Sequence, residues 1–160
     1  MESSSSVVSF MMNTIPTFIL PVAIVCVICS FLSNIIVDYK TEKFADTCRA
    51  TGQITPNNFN DFAQSIGKYG KFSIEIIHET DNYYSQDGED PVQVRTAKVT
   101  SDILDYIYPE EIYLDNRIYE MHNGDTLTVT VKKQSSFFTS ITSTVPMTIT
   151  QSGGYVKIVE

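Results

Sequence analysis

The feature that most constrains this chain is an uncharged, largely apolar run over residues 7–37. A helix that crosses a bilayer needs about 20 mainly apolar residues to span roughly 30 Å of hydrocarbon, and this run is longer. Its polar residues lie toward its two ends, whereas residues 18–29 are almost wholly apolar. A core helix of a soluble domain normally keeps a polar stripe. The run therefore predicts an N-terminal transmembrane helix over residues 1–37 and a soluble head domain over residues 38–160.

Two other interpretations of the run are a cleaved export signal and a helix that packs among copies of itself. A signal peptide needs a basic start and a small-residue cleavage site, but the chain starts with MESSSS and Glu2 is its only early charge. Pro16 and Pro21 each remove a backbone donor and tend to kink a helix, which membrane helices tolerate when neighbouring groups satisfy the freed carbonyls. A plain kinked anchor and a bend that fits partner helices both remain open. The side chains that we expect to face lipid or sister subunits are Phe10, Ile15, Pro16, Phe18, Ile19, Leu20, Pro21, Ile24, Val27, Ile28, Phe31, Leu32, Ile35 and Ile36.

Composition excludes some partners of the head. The formal net charge is -8 and no segment is rich in Lys or Arg, so nucleic acid is not an expected partner. Cys26 and Cys29 lie in the apolar run, where we interpret them as small apolar side chains and not as a metal or redox pair. Cys48 is the one cysteine outside the run, so the head cannot build a disulfide framework.

Helical signals continue beyond the run. Val37, Phe44, Cys48 and Thr51 recur near helical spacing among charged residues, which predicts that the span continues into an amphipathic helix. Gly52 is placed to end it.

A second, shorter helix is signalled by the segment TPNNFNDFAQSIG. Thr55 can cap its first amides and Pro56 suits its first position, while Gly67 or Gly70 ends it. The predicted apolar face consists of Phe59, Phe62, Ala63 and Ile66.

The rest of the head predicts an antiparallel sheet of four to six strands, packed on the helix that follows the span. KFSIEIIHE alternates as a half-buried strand does, TDNYYSQDGEDP is typical of a loop, and PVQVRTAKV predicts a second strand. TSDILDYIY predicts a helix capped by Thr100 or Ser101. Asn-Gly between IYLDNRIYEM and DTLTVTVKK predicts a hairpin. MTIT and YVKIVE predict two more strands that turn at QSGG, so the fold class is α+β.

A search for catalytic or ligand-binding residues finds none that we would assign. His78 and His122 are expected at a strand end and beside a turn, as exposed imidazoles. Four acids of one loop could gather Ca²⁺, but their spacing matches no EF-hand, so we expect a solvated acidic turn. Phosphate-binding glycine loops, HExxH pairs and GxSxG elbows are absent from the sequence. We predict a protein that is not an enzyme, with no cofactor and no metal. The four loop acids are Asp81, Asp87, Glu89 and Asp90.

The order of these segments resembles the TadE-like minor pilins or pseudopilins of Tad (Flp) type IV pilus systems in Firmicutes. The resemblance covers nearly the whole chain as an arrangement of weak patterns, from the apolar helix through EKFADTCRATGQITPNNFNDFAQSI and YEMHNGDTLTVTVKKQSSF to GGYVKIVE. It implies a structural subunit of a surface filament whose partners are the membrane, other pilin-like subunits and pilus assembly proteins. The basic leader and the fifth-position Glu of type IV pilins are missing, with Ser5 at that position if Met1 counts as the first residue, so we expect an accessory or minor subunit. The best-matching residues are Thr51, Gly52, Ile54, Thr55, Gly124, Asp125 and Thr128 to Val131.

The orientation of the head is contested by two signals. Lys40, Lys43 and Arg49 follow the span and no cation precedes it, which by the positive-inside tendency would place the head in the cytoplasm. The resemblance and the Thr-rich, lysine-poor strands favour an extracellular head, which is our expectation. The alternative function is a single-pass assembly factor or sensor whose head binds a protein partner without polymerising.

Overall fold

The computed structural model describes residues 9–10, 14–84, 92–109, 117–134 and 148–159. The chain divides into two compact units, Met1–Ile36 and Val37–Glu160. It combines a long N-terminal apolar helix with a mixed helix and sheet head, as the sequence predicts.

A π-helical turn, Ile15–Ile19, contains Pro16 and follows helical residues at 9, 10 and 14. Helix α1 follows over Leu20–Thr51. The predicted stop is confirmed, because Gly52 has a φ of 65°, a left-handed conformation that glycine adopts without a steric penalty.

The C-terminal part of α1 carries the amphipathic pattern. Its buried residues are Val37, Thr41, Phe44, Ala45 and Cys48, which follow helical spacing. The prediction that Thr51 shares this face is wrong, since Thr51 is exposed. The polar residue Thr41 can be buried on this face because its hydroxyl donates to the Val37 carbonyl, 2.8 Å away, and needs no other partner.

A two-residue strand and a second helix follow, β1 Gln53–Ile54 and α2 Pro56–Gly67. Thr55 caps α2 as predicted: its hydroxyl accepts from the Asn58 amide at 3.2 Å, and the Asn58 side chain accepts from the Thr55 amide at 2.9 Å. This reciprocal box satisfies two amides that a helix start leaves without partners. The predicted apolar face is confirmed, with Phe62 and Ile66 buried and Phe59 packed against the core.

The remaining elements are β2 Phe72–Tyr84, β3 Val92–Val99, α3 Thr100–Ile107, β4 Tyr119–Glu120, β5 Thr126–Lys133 and β6 Thr148–Tyr155. A four-stranded antiparallel sheet has the order β3-β2-β5-β6, and β1 pairs with β4 in a separate two-stranded sheet. Core-facing side chains of β2 and β5 lie opposite each other across the two strands, for example Ile76 opposite Val129 and Ile74 opposite Val131. These side chains share one hydrophobic core with the part of α1 that begins at Val37 and with helices α2 and α3.

Four expectations for the sheet region are wrong. Strand β2 continues through Thr80 to Tyr84, where a loop was predicted. The HNG segment forms a turn, but the strands beside it do not form a hairpin, because β4 pairs with β1. The QSGG segment is part of β6 and no turn, with Gly153 opposite Thr128, so MTIT and YVKIVE are not two strands: β6 ends at Tyr155, and residues 156–159 form no strand. Helix α3 has neither Thr100 nor Ser101 as its cap, since its N-cap residue is Val99.

Thr100 is displaced from the cap by its contact with β2. Its hydroxyl accepts from the Ile76 amide at 2.6 Å and donates to the Ile76 carbonyl at 3.2 Å. The Asp102 carboxylate caps instead, accepting from the Val99 amide at 3.3 Å. Of the predicted acidic loop, Asp81 lies in β2 and accepts from Arg95 Nε at 3.0 Å. Asp87, Glu89 and Asp90 lie outside the described residues.

Candidate membrane and subunit interface

The N-terminal apolar helix exposes its side chains on every side. Each residue from Thr17 to Leu32 is exposed, and consecutive exposed positions turn by about 100° around a helix axis. Eleven large apolar side chains between Phe18 and Ile35 are exposed, and Phe18 and Phe31 are 66% and 68% exposed. Complete burial of such a side chain stabilises by ~1.5–3 kcal/mol. Transfer of the whole segment from water to an apolar environment is therefore strongly favourable.

Most of the predicted packing residues are among those exposed side chains. Ile36 is half-buried, and the side chains of Ile15 and Pro16 lie outside the described residues. The prediction omitted Val22 and Val25, which are 63% and 57% exposed; their position in the same uncharged run was the signal for them. The exposed predicted residues are Phe10, Phe18, Ile19, Leu20, Pro21, Ile24, Val27, Ile28, Phe31, Leu32 and Ile35.

Two hydroxyl groups in this segment are satisfied locally, whereas the side-chain oxygen of Asn34 is buried without a hydrogen-bond partner among the described residues. The Thr14 hydroxyl donates to the Phe10 carbonyl at 2.7 Å, and the Ser33 hydroxyl donates to the Cys29 carbonyl at 2.8 Å. Such bonds to the preceding turn leave no hydroxyl proton that needs water. Cys26 and Cys29 are exposed thiols, three residues apart on the helix.

Length and composition make one helix among the described residues, Thr17–Thr51, a candidate membrane span. Its most apolar stretch has no buried residue, unlike the core helix of a soluble protein. A signal sequence near an N-terminus would satisfy the same criteria of length and composition.

The head contains a buried polar cluster that the sequence did not indicate. His78 Nδ1 lies 2.7 Å from the Tyr119 hydroxyl, and His78 Nε2 lies 2.8 Å from Asp125 Oδ2. All three residues are at most 6% exposed, so the expectation of a solvated His78 is wrong. The reason is the length of β2: Ile74, Ile76 and His78 alternate onto the same buried face, and extending that period by one step would have identified it. His122 is exposed, as expected.

The cluster ties a turn to the sheet. Asp125 Oδ2 also accepts from the His122 amide at 2.7 Å, so one carboxylate joins β2 to the Asn123-Gly124 turn. All partners are satisfied when His78 Nε2 donates to the carboxylate and the Tyr119 hydroxyl donates to Nδ1. Burial, followed by the charges of Asp125 and Asp102, raises the pKa of Tyr119 to about 12. An activated nucleophile needs a lowered pKa and access to substrate, so this geometry is suited to a structural tie.

The exposed strand β3 is the head's other distinctive surface. Among the described residues β2 is its one neighbour in the sheet, and its side chains from Gln93 to Val99 are all exposed. Comparison of the chain with protein-family models, curated proteins and solved structures gives no match.

Proposed function

We propose that the chain is a single-pass membrane subunit of a pilin-like filament assembly, in which the apolar helix is held by lipid and by neighbouring subunits. The observation that supports this most strongly is the ring of exposed apolar side chains from Phe18 to Ile35. Water would solvate this surface at a large cost, whereas lipid or sister helices would cover it. The resemblance to TadE-like minor pilins adds the filament to the proposal, with an extracellular head.

Membrane insertion is tested with the full chain expressed in cells. We expect the chain to remain in the membrane pellet after alkaline extraction, and its intact mass to include the apolar run. A chain found soluble and monodisperse without detergent would overturn the proposal. A membrane-released chain whose mass lacks the first 37 residues would show a cleaved export signal instead.

Assembly is tested through the native thiols of Cys26 and Cys29. Because both are exposed and a helix carries them on neighbouring positions, mild oxidation of neighbouring spans gives a ladder of crosslinked subunits, whereas single Cys26→Ser or Cys29→Ser variants stop at dimers. Cys48→Ala is the control, since Cys48 is buried and its pKa is raised to about 12 by burial. Monomers alone in membranes, with sheared surface filaments unaffected by deletion of the gene, would contradict a filament subunit.

The alternative, an assembly factor or sensor that binds one partner, is favoured by β3. An exposed edge strand offers unpaired backbone groups to an extended segment of another protein. This function predicts one heterologous crosslinked product through an introduced cysteine at exposed Gln93, without a ladder through Cys26 and Cys29.

The orientation of the head is tested with Gln64→Cys. Gln64 is exposed on α2, while Cys48 is buried. An impermeant maleimide added to intact cells labels Gln64→Cys if the head is extracellular. Labelling that requires broken cells would place the head in the cytoplasm.

A further inference from the structure

An open groove lies between the C-terminal part of α1 and helix α2, wholly within the head. Its volume is about 360 Å³, within the range of pockets that bind small ligands, ~300–1,000 Å³. Phe44 and Phe62 line it, stacked with ring centroids 4.4 Å apart and an interplanar angle of 4°. The groove therefore has an aromatic surface beside its polar lining.

Two lysines supply the positive charge of the groove. Lys40 and Lys43 both line it, and neither has an ion pair or side-chain hydrogen bond with any residue that the structure describes. Asp61 is the acidic residue in the same lining. The groove thus carries one net positive charge, and two ammonium groups are available to a ligand.

Two other polar side chains in the groove lining are already engaged. The Ser65 hydroxyl donates to the Phe62 carbonyl at 2.8 Å, and the Asn58 side chain belongs to the α2 cap. A neighbouring hollow contains Glu42 and Asp46, but Asp46 is bound to Arg49 at 2.6 Å. The geometry therefore favours an anion that contacts both lysines.

The position of the lysines in the chain limits what that anion can be. Lys40 is four residues beyond Ile36, so their Cα atoms are at most ~14 Å apart in any conformation. The headgroup region on each side of the hydrocarbon is ~5–8 Å thick. If the apolar run spans a membrane, a lysine side chain at this point reaches headgroup phosphates, as long cationic side chains beside spans do.

We propose that this groove binds the headgroup of an anionic phospholipid. Lys40 and Lys43 contact its phosphate, and Phe44 and Phe62 contact its glycerol carbons. This inference rests on the proposed membrane span, which Lys40 must border for the lipid to reach the groove.

The test uses the full chain reconstituted into vesicles, with one tryptophan as reporter. The chain has no native Trp, so Thr47→Trp, at an exposed groove position, gives a unique emission. Phosphatidylglycerol or phosphatidylcholine that is brominated at the acyl carbon next to each glycerol ester then quenches that emission when its headgroup occupies the groove. We expect stronger quenching by the anionic lipid.

Charge variants identify the contacts. Lys40→Gln with Lys43→Gln should raise the mole fraction of anionic lipid that gives half-maximal quenching, by about fivefold per lysine. The matched control is Lys68→Gln with Lys71→Gln, which removes the same charge at the same spacing from exposed positions outside the groove, and should leave the mole fraction within twofold of the parent. Asp61→Asn should lower the mole fraction.

Other results would overturn the inference. Equal quenching by the two lipids, or an anionic preference that survives the Lys40 and Lys43 changes, removes the lipid site while leaving the proposed span intact. Displacement of the brominated lipid by soluble glycerol phosphate would make a free phosphate ester the occupant. A chain that enters neither kind of vesicle would refute the proposed function itself.

Discussion

The two parts of helix α1 share one backbone geometry and differ completely in their surroundings. Residues 20–32 are all exposed, whereas Val37–Thr51 includes five buried residues at helical spacing. The first part has apolar side chains on every side and the second has them on one face. The difference shows that helix formation alone says little about function, and that the distribution of apolar side chains around the axis decides which solvent a helix needs.

The largest expected effect comes from placing charge in the first part. Val25→Arg with Ile28→Arg puts two cations in the middle of the apolar run, each at a cost of ~2.5–3.5 kcal/mol for insertion. We expect most of the double variant to be released from membranes by alkaline extraction. Val25→Leu with Ile28→Leu is the control and should remain in the pellet. Equal retention of both variants would mean that this segment does not cross the bilayer.

The second part is tested by removing a core side chain from it. Phe44 is 6% exposed and stacks on Phe62, so Phe44→Ala should lower the free energy of unfolding of the head by ~3–5 kcal/mol. Urea unfolding in detergent, followed by far-UV circular dichroism, measures it. Tyr39→Ala is the control on the same helix, because Tyr39 is 64% exposed; its effect should stay within ~0.5 kcal/mol. Similar losses for both variants would contradict the assignment of the buried face.

Local signals predicted the helices well and the sheet connections poorly. The Thr55-Pro56 start of α2 is specified by residues within one turn, so the sequence contains all of it. Asn123-Gly124 encodes a turn, but pairing of β4 with β1 joins Glu120 to Gln53, and no local pattern specifies a partner so far along the chain.

A tertiary contact explains the misread glycines of β6. A Cβ on Gly154 would lie 2.9 Å from Arg49 Nη1, so a larger residue at this strand position would have to displace the Arg49 side chain. The sequence pattern shows two glycines and predicts a turn. The Arg49 guanidinium, held by Asp46 and by the Ser152 hydroxyl at 3.0 Å, is the cause that the pattern cannot show.

The two histidines of the head show the same contrast between a buried and an exposed side chain. His78→Phe leaves the Tyr119 hydroxyl and the Asp125 carboxylate without their buried partner, so we expect a loss of ~3 kcal/mol in the free energy of unfolding. His122→Gln should change it by less than ~0.5 kcal/mol, because the His122 side chain is 88% exposed. Urea unfolding of both variants measures the difference. Equal changes in the unfolding free energy of the two variants would mean that both imidazoles are solvated.

The end of α1 depends on a distant segment for its last hydrogen bonds. The Lys157 amide donates to the Arg49 carbonyl and the Val159 amide to the Ala50 carbonyl, each at 3.1 Å. Deletion of residues 157–160 removes both donors, and we expect a loss of ~2 kcal/mol in unfolding free energy. Lys157→Gln with Val159→Ala keeps the backbone donors and should cost less than ~0.5 kcal/mol. A deletion that unfolds at the same urea concentration as the parent would show that water replaces the two bonds.

The smallest effect, taken over the first pH unit above 9, separates the buried thiol of α1 from the exposed ones. Burial raises the pKa of Cys48 from 9.0 to about 12, opposed by the charge of Arg49. Above pH 9 the unfolded thiol loses its proton while the folded thiol keeps it, so stability falls by ~1.4 kcal/mol per pH unit until the folded pKa is reached. Urea unfolding at successive pH values should therefore show a steeper decline for the parent than for Cys48→Ala, and the shared titration of Tyr119 cancels in that difference. Parallel profiles would mean that the folded thiol is as accessible to solvent as an unfolded one. The buried face assigned to the second part of α1 would then be wrong at Cys48.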